Sequence, residues 1–221
     1  MVERQLARRG IEDPRVLAAM AEVPREEFVP AASRAEAYAD RAVPLAAGQT
    51  VSQPWIVAAI TQALALQPAD RALEIGTGSG YSAAVLSLLV ESVVSIERLA
   101  ELAELARANL ARVGVDNVEV ICADGSVGLP ERAPFDAIAV HAAAPSEPQE
   151  LLAQLAPGGR LVAPVSSMPE RGGGYGDEHL IRWERDPLVP ASPGSEAVYR
   201  RRTIAACRFV PLIGAAGYPH E

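Results

Sequence analysis

The chain has 221 residues and no lysine; all 20 of its basic side chains are arginine. That absence excludes the lysine of a phosphate-binding loop, a Schiff-base lysine and the lysine of a kinase site. Cysteine is scarce as well. Cys122 and Cys207 lie far apart and form no CxxC pair, so a reducing cytoplasm is the expected compartment. The three histidines, His141, His179 and His220, lack the spacing of metal ligands, and no metal is expected. No apolar run approaches the roughly 18 residues of a membrane span. The longest, residues 83–90, is interrupted by Ser87 and stopped by Glu91. The N-terminus carries arginines but no apolar stretch and no small-residue cleavage site, so no signal peptide is expected. Positive charge is also in deficit. A net charge of −8 speaks against nucleic acid or an anionic membrane as a partner, because both need clustered cations.

What is present suits one soluble domain with a sizeable core: 49% hydrophobic and 22% charged residues. Residues 1–39 read as helical, with Gly10 as a C-cap and Asp13-Pro14 opening a new helix. Residues 40–53, with Pro44 and Gly48, read as an apolar loop, and a helix follows over 55–66. From residue 71 the pattern changes to short apolar strands alternating with amphipathic helices. Strands are predicted over 72–75, 93–96, 118–122, 135–140 and 159–165, and helices over 81–90, 99–113 and 148–155. That alternation implies a mostly parallel α/β sheet with its ligand cleft at the carboxyl ends of the strands. Two further strands, 179–185 and 197–210, suggest an antiparallel edge. The expected organisation is a single unit, 1–221: a helical extension (1–54), a core (55–166), and C-terminal strands with a tail (167–221).

The strongest chemical signal is Leu73-Glu74-Ile75-Gly76-Thr77-Gly78-Ser79-Gly80-Tyr81. A strand runs through a glycine-rich turn into a helix, whose free N–H groups point at a ligand. The dinucleotide fingerprint needs glycine where Tyr81 stands. Here the pattern is E-x-G-x-G-x-G, and the Glu74 carboxylate suits a cationic ligand bearing an amino acid. Glu97 ends the next strand and is placed to accept hydrogen bonds from a ribose. Asp124-Gly125 ends the third strand, placed for an adenine amino group, though the pair also reads as a simple turn. The candidate cofactor residues are therefore Glu74, Gly76, Thr77, Gly78, Gly80, Glu97, Asp124 and Gly125.

The order ALEIGTGSG, VVSIE, ICADG, APFDAIAV, LAPGGRLVAPV resembles the class I S-adenosylmethionine-dependent methyltransferases. The segment AYADRAVPLAAGQTVSQP and the element RFVPL narrow the resemblance to the protein-L-isoaspartate O-methyltransferase family. It covers residues 1–212. It implies a Rossmann-like α/β/α sandwich with a helical N-terminal extension. It also implies methyl transfer from S-adenosylmethionine to the free α-carboxylate of L-isoaspartyl residues, with S-adenosylhomocysteine as product. The ester then closes to a succinimide, and hydrolysis returns some normal aspartate. The implied acceptors are damaged peptides and flexible or unfolded proteins, met by a monomer.

The resemblance assigns Ser52 to the active site and Thr50 and Val51 to the cofactor. It assigns Gln53, Phe209 and Val210, with Ser52, to the substrate. Read from the residues alone, Ser52 also allows a cap for the next helix, and the two roles can coexist. A carboxylate is already ionised at neutral pH, so the reaction needs no general base, and Ser52 orients rather than attacks. Other acceptors remain open: a dedicated peptide carboxylate, or none at all in a non-catalytic cofactor-binding protein.

Several side chains invite plainer readings. Tyr81 and Trp55 read as packing residues, Cys122 and Cys207 as buried hydrophobes, and Arg200–Arg202 as a strand flank. Three features depart from the family pattern. His141 stands where a small residue or threonine is usual, and its ring is expected to face solvent. The loop over 166–178 is long and glycine-rich, and the tail 213–221 has no evident counterpart.

Overall fold

A computed structural model of the chain describes residues 1–166, 178–188 and 197–219. The N-terminal segment is one regular helix flanked by single turns, which corrects the helical reading of 1–39. Two turns over residues 2–9 bury Leu6 and end at Gly10, whose φ of 88° is closed to most side chains. Helix α1 (Pro14–Glu22) starts as expected: the Asp13 carboxylate accepts the Arg15 N–H at 2.9 Å, and Pro14 takes the first position. Beyond it only the turns Arg25–Phe28 and Ala31–Glu36 form, since Pro24 and Pro30 interrupt any longer helix.

The loop read over 40–53 holds a small antiparallel pair, β1 (Val43–Pro44) and β2 (Thr50–Val51), with Val43 opposite Val51. Helix α2 (Pro54–Ala63) buries Ile56, Val57 and Ile60. It ends before residue 66, where Ala65 turns to a φ of 49°.

The core then alternates: β3 (Arg71–Ile75), α3 (Tyr81–Ser87), β4 (Ser92–Glu97), α4 (Ala100–Arg112), β5 (Val118–Cys122), β6 (Phe135–Val140), α5 (Gln149–Leu152), β7 (Leu155–Ser166), β8 (Glu178–Arg185) and β9 (Tyr199–Cys207). They form one seven-stranded sheet in the order β5-β4-β3-β6-β7-β8-β9. The first five strands in that order run parallel, and β8 is antiparallel to both its neighbours, as the two closing strands imply. Helix α5 is a single turn where the sequence suggests two. Its continuation holds Pro157 and Gly158, and residues 156–159 bulge out between the pairs Phe135–Leu155 and Ala137–Arg160.

Side chains alternate between the sheet's two faces. Ala72, Val93, Ala137, Ala139 and Val162 pack under α1–α4, whereas Leu73, Ile75, Ile96, Ile138 and Leu161 pack on the α5 side. Burial on both faces explains why these strands read as nearly continuous apolar runs. Among the described residues no helix is long and apolar enough to cross a membrane. Nor does any group of three or more His, Cys, Asp or Glu there have the arrangement of a metal site.

Arg160 clips the sheet to α2. Its Nε donates to Leu64 O at 2.6 Å, and its Nη2 donates to Ala65 O at 2.9 Å and pairs with Asp70 at 2.6 Å. The helix end thereby gains the partners its own backbone cannot supply. Arg160→Leu will leave Leu64 O without its donor and the buried Asp70 carboxylate without its ion pair, and cost about 2–4 kcal/mol. Urea unfolding checks this, and a loss under about 0.5 kcal/mol, the level of an ordinary surface change, would contradict it.

Candidate active site

Strand β3 lies where the sheet's connections change direction: β4 and β5 lie on one side of it, β6 and β7 on the other. The chains leaving β3 and β6 part there and open a cleft. A cavity of about 770 Å³ including its mouth occupies it. Its walls are the glycine-rich turn after β3, the end of β4, the start of the β6 exit, the β2–α2 junction and residues 210–213.

Gly76, Thr77, Gly78 and Ser79 line the cavity. The turn is held down by Gly76 N–H donating to Ile96 O at 2.8 Å. Gly76, at φ 89°, lets the chain leave the strand within van der Waals reach of His141. Gly80 does not reach the cavity, which corrects its assignment. An added Cβ there would lie 3.3 Å from Leu110 Cγ and 3.4 Å from Ala106 O, so this glycine lets α3 pack on α4. Glu97 does line the cavity. It accepts Gly78 N–H on Oε2 at 2.9 Å and Leu99 N–H on Oε1 at 3.0 Å. Each oxygen can accept more than one hydrogen bond, so the carboxylate is oriented and still able to accept from a ligand.

Glu74 lies beneath the turn and is fully buried, not on the cavity wall. Ser95 Oγ donates to its Oε2 at 2.5 Å and in turn lies 2.5 Å from Thr77 Oγ1. The other oxygen, Oε1, has no hydrogen-bond partner. His141 Nε2 stands 3.5 Å from it and 2.7 Å from Ser82 Oγ. Contrary to the solvent-facing expectation, His141 is buried and lines the cavity. It follows Ala139 by two residues and so points to the same face, under α3. Burial pushes the Glu74 carboxyl up to about 7, against the lowering effect of the Ser95 and Ser82 hydroxyls, and pushes the His141 imidazole down to about 4.

On the opposite wall, Thr50, Val51 and Ser52 line the cavity as a group. Helix α2 is capped at Gln53 with no side-chain bond, so the capping alternative for Ser52 falls. The Ser52 hydroxyl has no hydrogen-bond partner among the described residues. Gln53 itself turns away: its Nε2 donates to Asp40 O at 3.0 Å and Oδ1 at 2.7 Å. At the C-terminal element Val210 lines the cavity, whereas Phe209 is buried beside it and its N–H donates to Glu178 at 2.7 Å.

Gly125 lines the cavity but the Asp124 carboxylate is engaged elsewhere. It accepts Ser126 N–H at 2.9 Å, Ser126 Oγ–H at 2.7 Å and Ala215 N–H at 2.7 Å. Asp124 thus caps the turn Gly125–Val127 and anchors the tail. The close fit of Gly125 is steric, since an added Cβ would meet Ile75 Cγ2 at 2.7 Å.

Pro211 and Leu212 of the RFVPL element line the cavity as well, whereas other wall residues escaped the sequence reading: Arg98, Leu102, Ala142 and Ile213. Arg98 and Ala142 adjoin residues already singled out, and strand-end adjacency was the available signal. Ile213 carried none. Tyr81 packs edge-on against Phe28 at 5.8 Å as expected and also faces the cavity. Trp55 packs away from it under Arg9 at 4.9 Å. Cys207 is half-buried, its thiol pushed up to about 12 by burial, but Cys122 is exposed, against the reading of both as buried. Cys122 shares a face with Val120 but stands at the carboxyl end of the edge strand β5, where it is left exposed. Most of the glycine-rich loop, 167–177, lies outside the described residues.

The family model for protein-L-isoaspartate(D-aspartate) O-methyltransferase matches residues 1–172. Protein-L-isoaspartate O-methyltransferase 2 of Pelobacter propionicus is 51% identical, over 99% of this chain and 91% of its own length. That alignment also runs through most of 213–221, so the tail does have a counterpart. A solved protein-L-isoaspartate O-methyltransferase superposes with a TM-score of 0.80 at 29% identity, covering 98% of this chain and 67% of the other. A Plasmodium falciparum structure described under the same enzyme name, in complex with S-adenosyl-L-homocysteine, superposes with a TM-score of 0.72 at 25% identity over 95% of both chains. The chain belongs to the protein-L-isoaspartate(D-aspartate) O-methyltransferase family.

Proposed function

We propose that this chain transfers the methyl group of S-adenosylmethionine to the free α-carboxylate of L-isoaspartyl residues in damaged peptides and flexible proteins. The observation that carries this reading is that one cavity has two chemically different walls. One wall is the glycine-rich turn with Glu97; the other is Thr50–Ser52 with Val210.

The residues present fit the cofactor. The turn presents backbone without side chains at Gly76 and Gly78, both at positive φ. Glu97 offers an oriented carboxylate to hydroxyl donors, and Glu74 keeps a buried oxygen without a partner below a cationic ligand. Gly76, Thr77, Gly78, Glu97 and Gly125 would hold it from one wall, and Thr50 and Val51 from the other. When bound, the cofactor supplies an electrophilic methyl group on a sulfonium. Everything else falls to positioning. The acceptor carboxylate is ionised near neutral pH without help from a base. Ser52 Oγ–H donates to one carboxylate oxygen and leaves the other to meet the methyl carbon. Val57, Val210 and Leu212 keep water from the site. The ester is released and closes to a succinimide outside the enzyme, with methanol leaving. The two free cysteines, one exposed, agree with a reducing compartment, which in this reading is the cytoplasm.

Glu74 and His141 tie stability to pH with opposite signs. Glu74 titrates higher folded than unfolded, so the native state holds an extra proton between about pH 4.5 and 7, and stability falls as pH rises through that window. His141 titrates lower folded, so the native state lacks a proton between about pH 4 and 6.5, and stability rises with pH there. The two slopes largely cancel.

Two outcomes follow from these arguments. With labelled S-adenosylmethionine, a short isoaspartyl peptide will gain base-labile label and its aspartyl twin will not. Ser52→Ala will lower turnover at least about tenfold, roughly the worth of one positioned hydrogen bond, while S-adenosylhomocysteine binds as before. Label on both peptides, or on neither, would sink the reading. In melting curves from pH 4.5 to 7, His141→Asn will lose stability with rising pH and Glu74→Gln will gain it, each by up to about 3 kcal/mol. Parallel curves for the two variants would show that the buried pair does not titrate as described.

A further inference from the structure

Arg25 is fully buried on the turn Arg25–Phe28. Its Nε donates to Ala37 O at 2.7 Å and its Nη2 to Ser52 O at 2.7 Å. Its guanidinium lies 4.6 Å from the centre of the Tyr81 ring. Its Nη1 has no hydrogen-bond partner, and among the described residues no carboxylate pairs with it. Burial lowers its pKa, yet a guanidinium stays charged at any working pH. A buried cation without an anion costs several kcal/mol, so packing alone does not account for it.

The three groups it touches are not arbitrary. Ser52 and Tyr81 both line the cavity, and Ala37 closes the turn Ala31–Glu36. The fork therefore fixes the Ser52 main chain and the Tyr81 ring together. It also sets an unneutralised positive charge one layer behind the serine wall. The opposite wall carries Glu97, with Glu74 beneath it. The cavity is thus polarised: a cationic ligand is favoured at the carboxylate wall, and an anion at the serine wall.

We propose that Arg25 is a positioning residue for the acceptor, holding Ser52 in place and drawing the substrate carboxylate to it through the buried charge. The inference rests on the methyl-transfer reading above and concerns the acceptor end of that site. Arg25 does not line the cavity and acts through Ser52 and Tyr81.

The test is steady-state kinetics with an isoaspartyl peptide for the wild type, Arg25→Met and Arg25→Lys, beside S-adenosylhomocysteine affinity by calorimetry. Lysine keeps the charge but cannot span two carbonyls as the planar fork does. Both variants should lose about tenfold in kcat, and only the methionine variant should raise the peptide KM by about tenfold or more. Cofactor-product affinity should stay within about threefold of the wild type in both. A merely structural role would lower stability and leave the split between KM and kcat unmoved. Wild-type turnover with an unchanged KM and kcat in Arg25→Met overturns the inference alone. So does a matching loss of cofactor-product affinity. If Arg25→Met does not fold, Arg25→Lys decides: unchanged kcat overturns the positioning role. Absence of wild-type turnover overturns the acceptor reading and this inference with it.

Discussion

The placement of β3 between β4 and β6, all three parallel, is the constraint on which the site depends. Because the connections leaving β3 and β6 run in opposite directions, no helix covers the gap between their carboxyl ends. The turn after Ile75 must then rise steeply, and Gly76 at positive φ allows it. The paired register puts Ile75 beside Ile96 on one side and Val140 on the other. Glu97 and His141 each follow by one residue and arrive at the same level. A shift of one residue in the β3–β4 pairing would turn Glu97 to the α5 face, and one in the β3–β6 pairing would turn His141. The cavity is thus a property of sheet register before it is a property of any side chain.

Charge is distributed across that cavity with little direct pairing. Glu97 is held by two backbone N–H groups, Glu74 by one hydroxyl on one oxygen, and Arg25 by two carbonyls. A salt bridge between the two walls would have neutralised both and left nothing for ligands of either sign. Instead the carboxylates and the guanidinium stand apart, held by neutral donors and acceptors. Such dipoles orient a charge without cancelling it, which is how a preorganised site keeps its field. The cost appears as the raised Glu74 carboxyl and the lone Nη1 of Arg25.

The strand–helix alternation, the glycine turn, Glu97 and the Thr50–Ser52 segment were legible because each depends on local pattern. Period and turn chemistry are carried within about ten residues. The N-terminal block was not: proline-punctuated apolar sequence reads as helix, yet its geometry is set by packing against α2. His141 was misjudged for a related reason. One histidine after a strand is ambiguous until Ser82, 59 residues earlier, is known to sit over it. Gly80 was over-assigned because glycine spacing does not reveal whether a ligand or a neighbouring helix makes the close approach. Here α4 makes it.

Asp124 shows how far such a misreading can be productive. A strand-end Asp-Gly beside a nucleoside cleft invites a direct ligand role. In the structure its carboxylate accepts the amide of Ala215, 91 residues on, and Ser126 Oγ accepts that of Ala216 at 3.0 Å. Gly214 fits because a side chain there would strike Asp124 Oδ1. This latch holds the chain just after Leu212 and Ile213, which wall the cavity, while Ala143 N–H fixes Val210 from the other side at 2.8 Å. The C-terminal wall is therefore pinned at both ends, by Ala215 and Ala216 N–H donating to the Asp124 and Ser126 side chains after β5 and by the backbone bond from Ala143 to Val210 after β6. Asp124 shapes the site through the tail it anchors, and the tail, which carries no motif of its own, is where the cavity gains its second side.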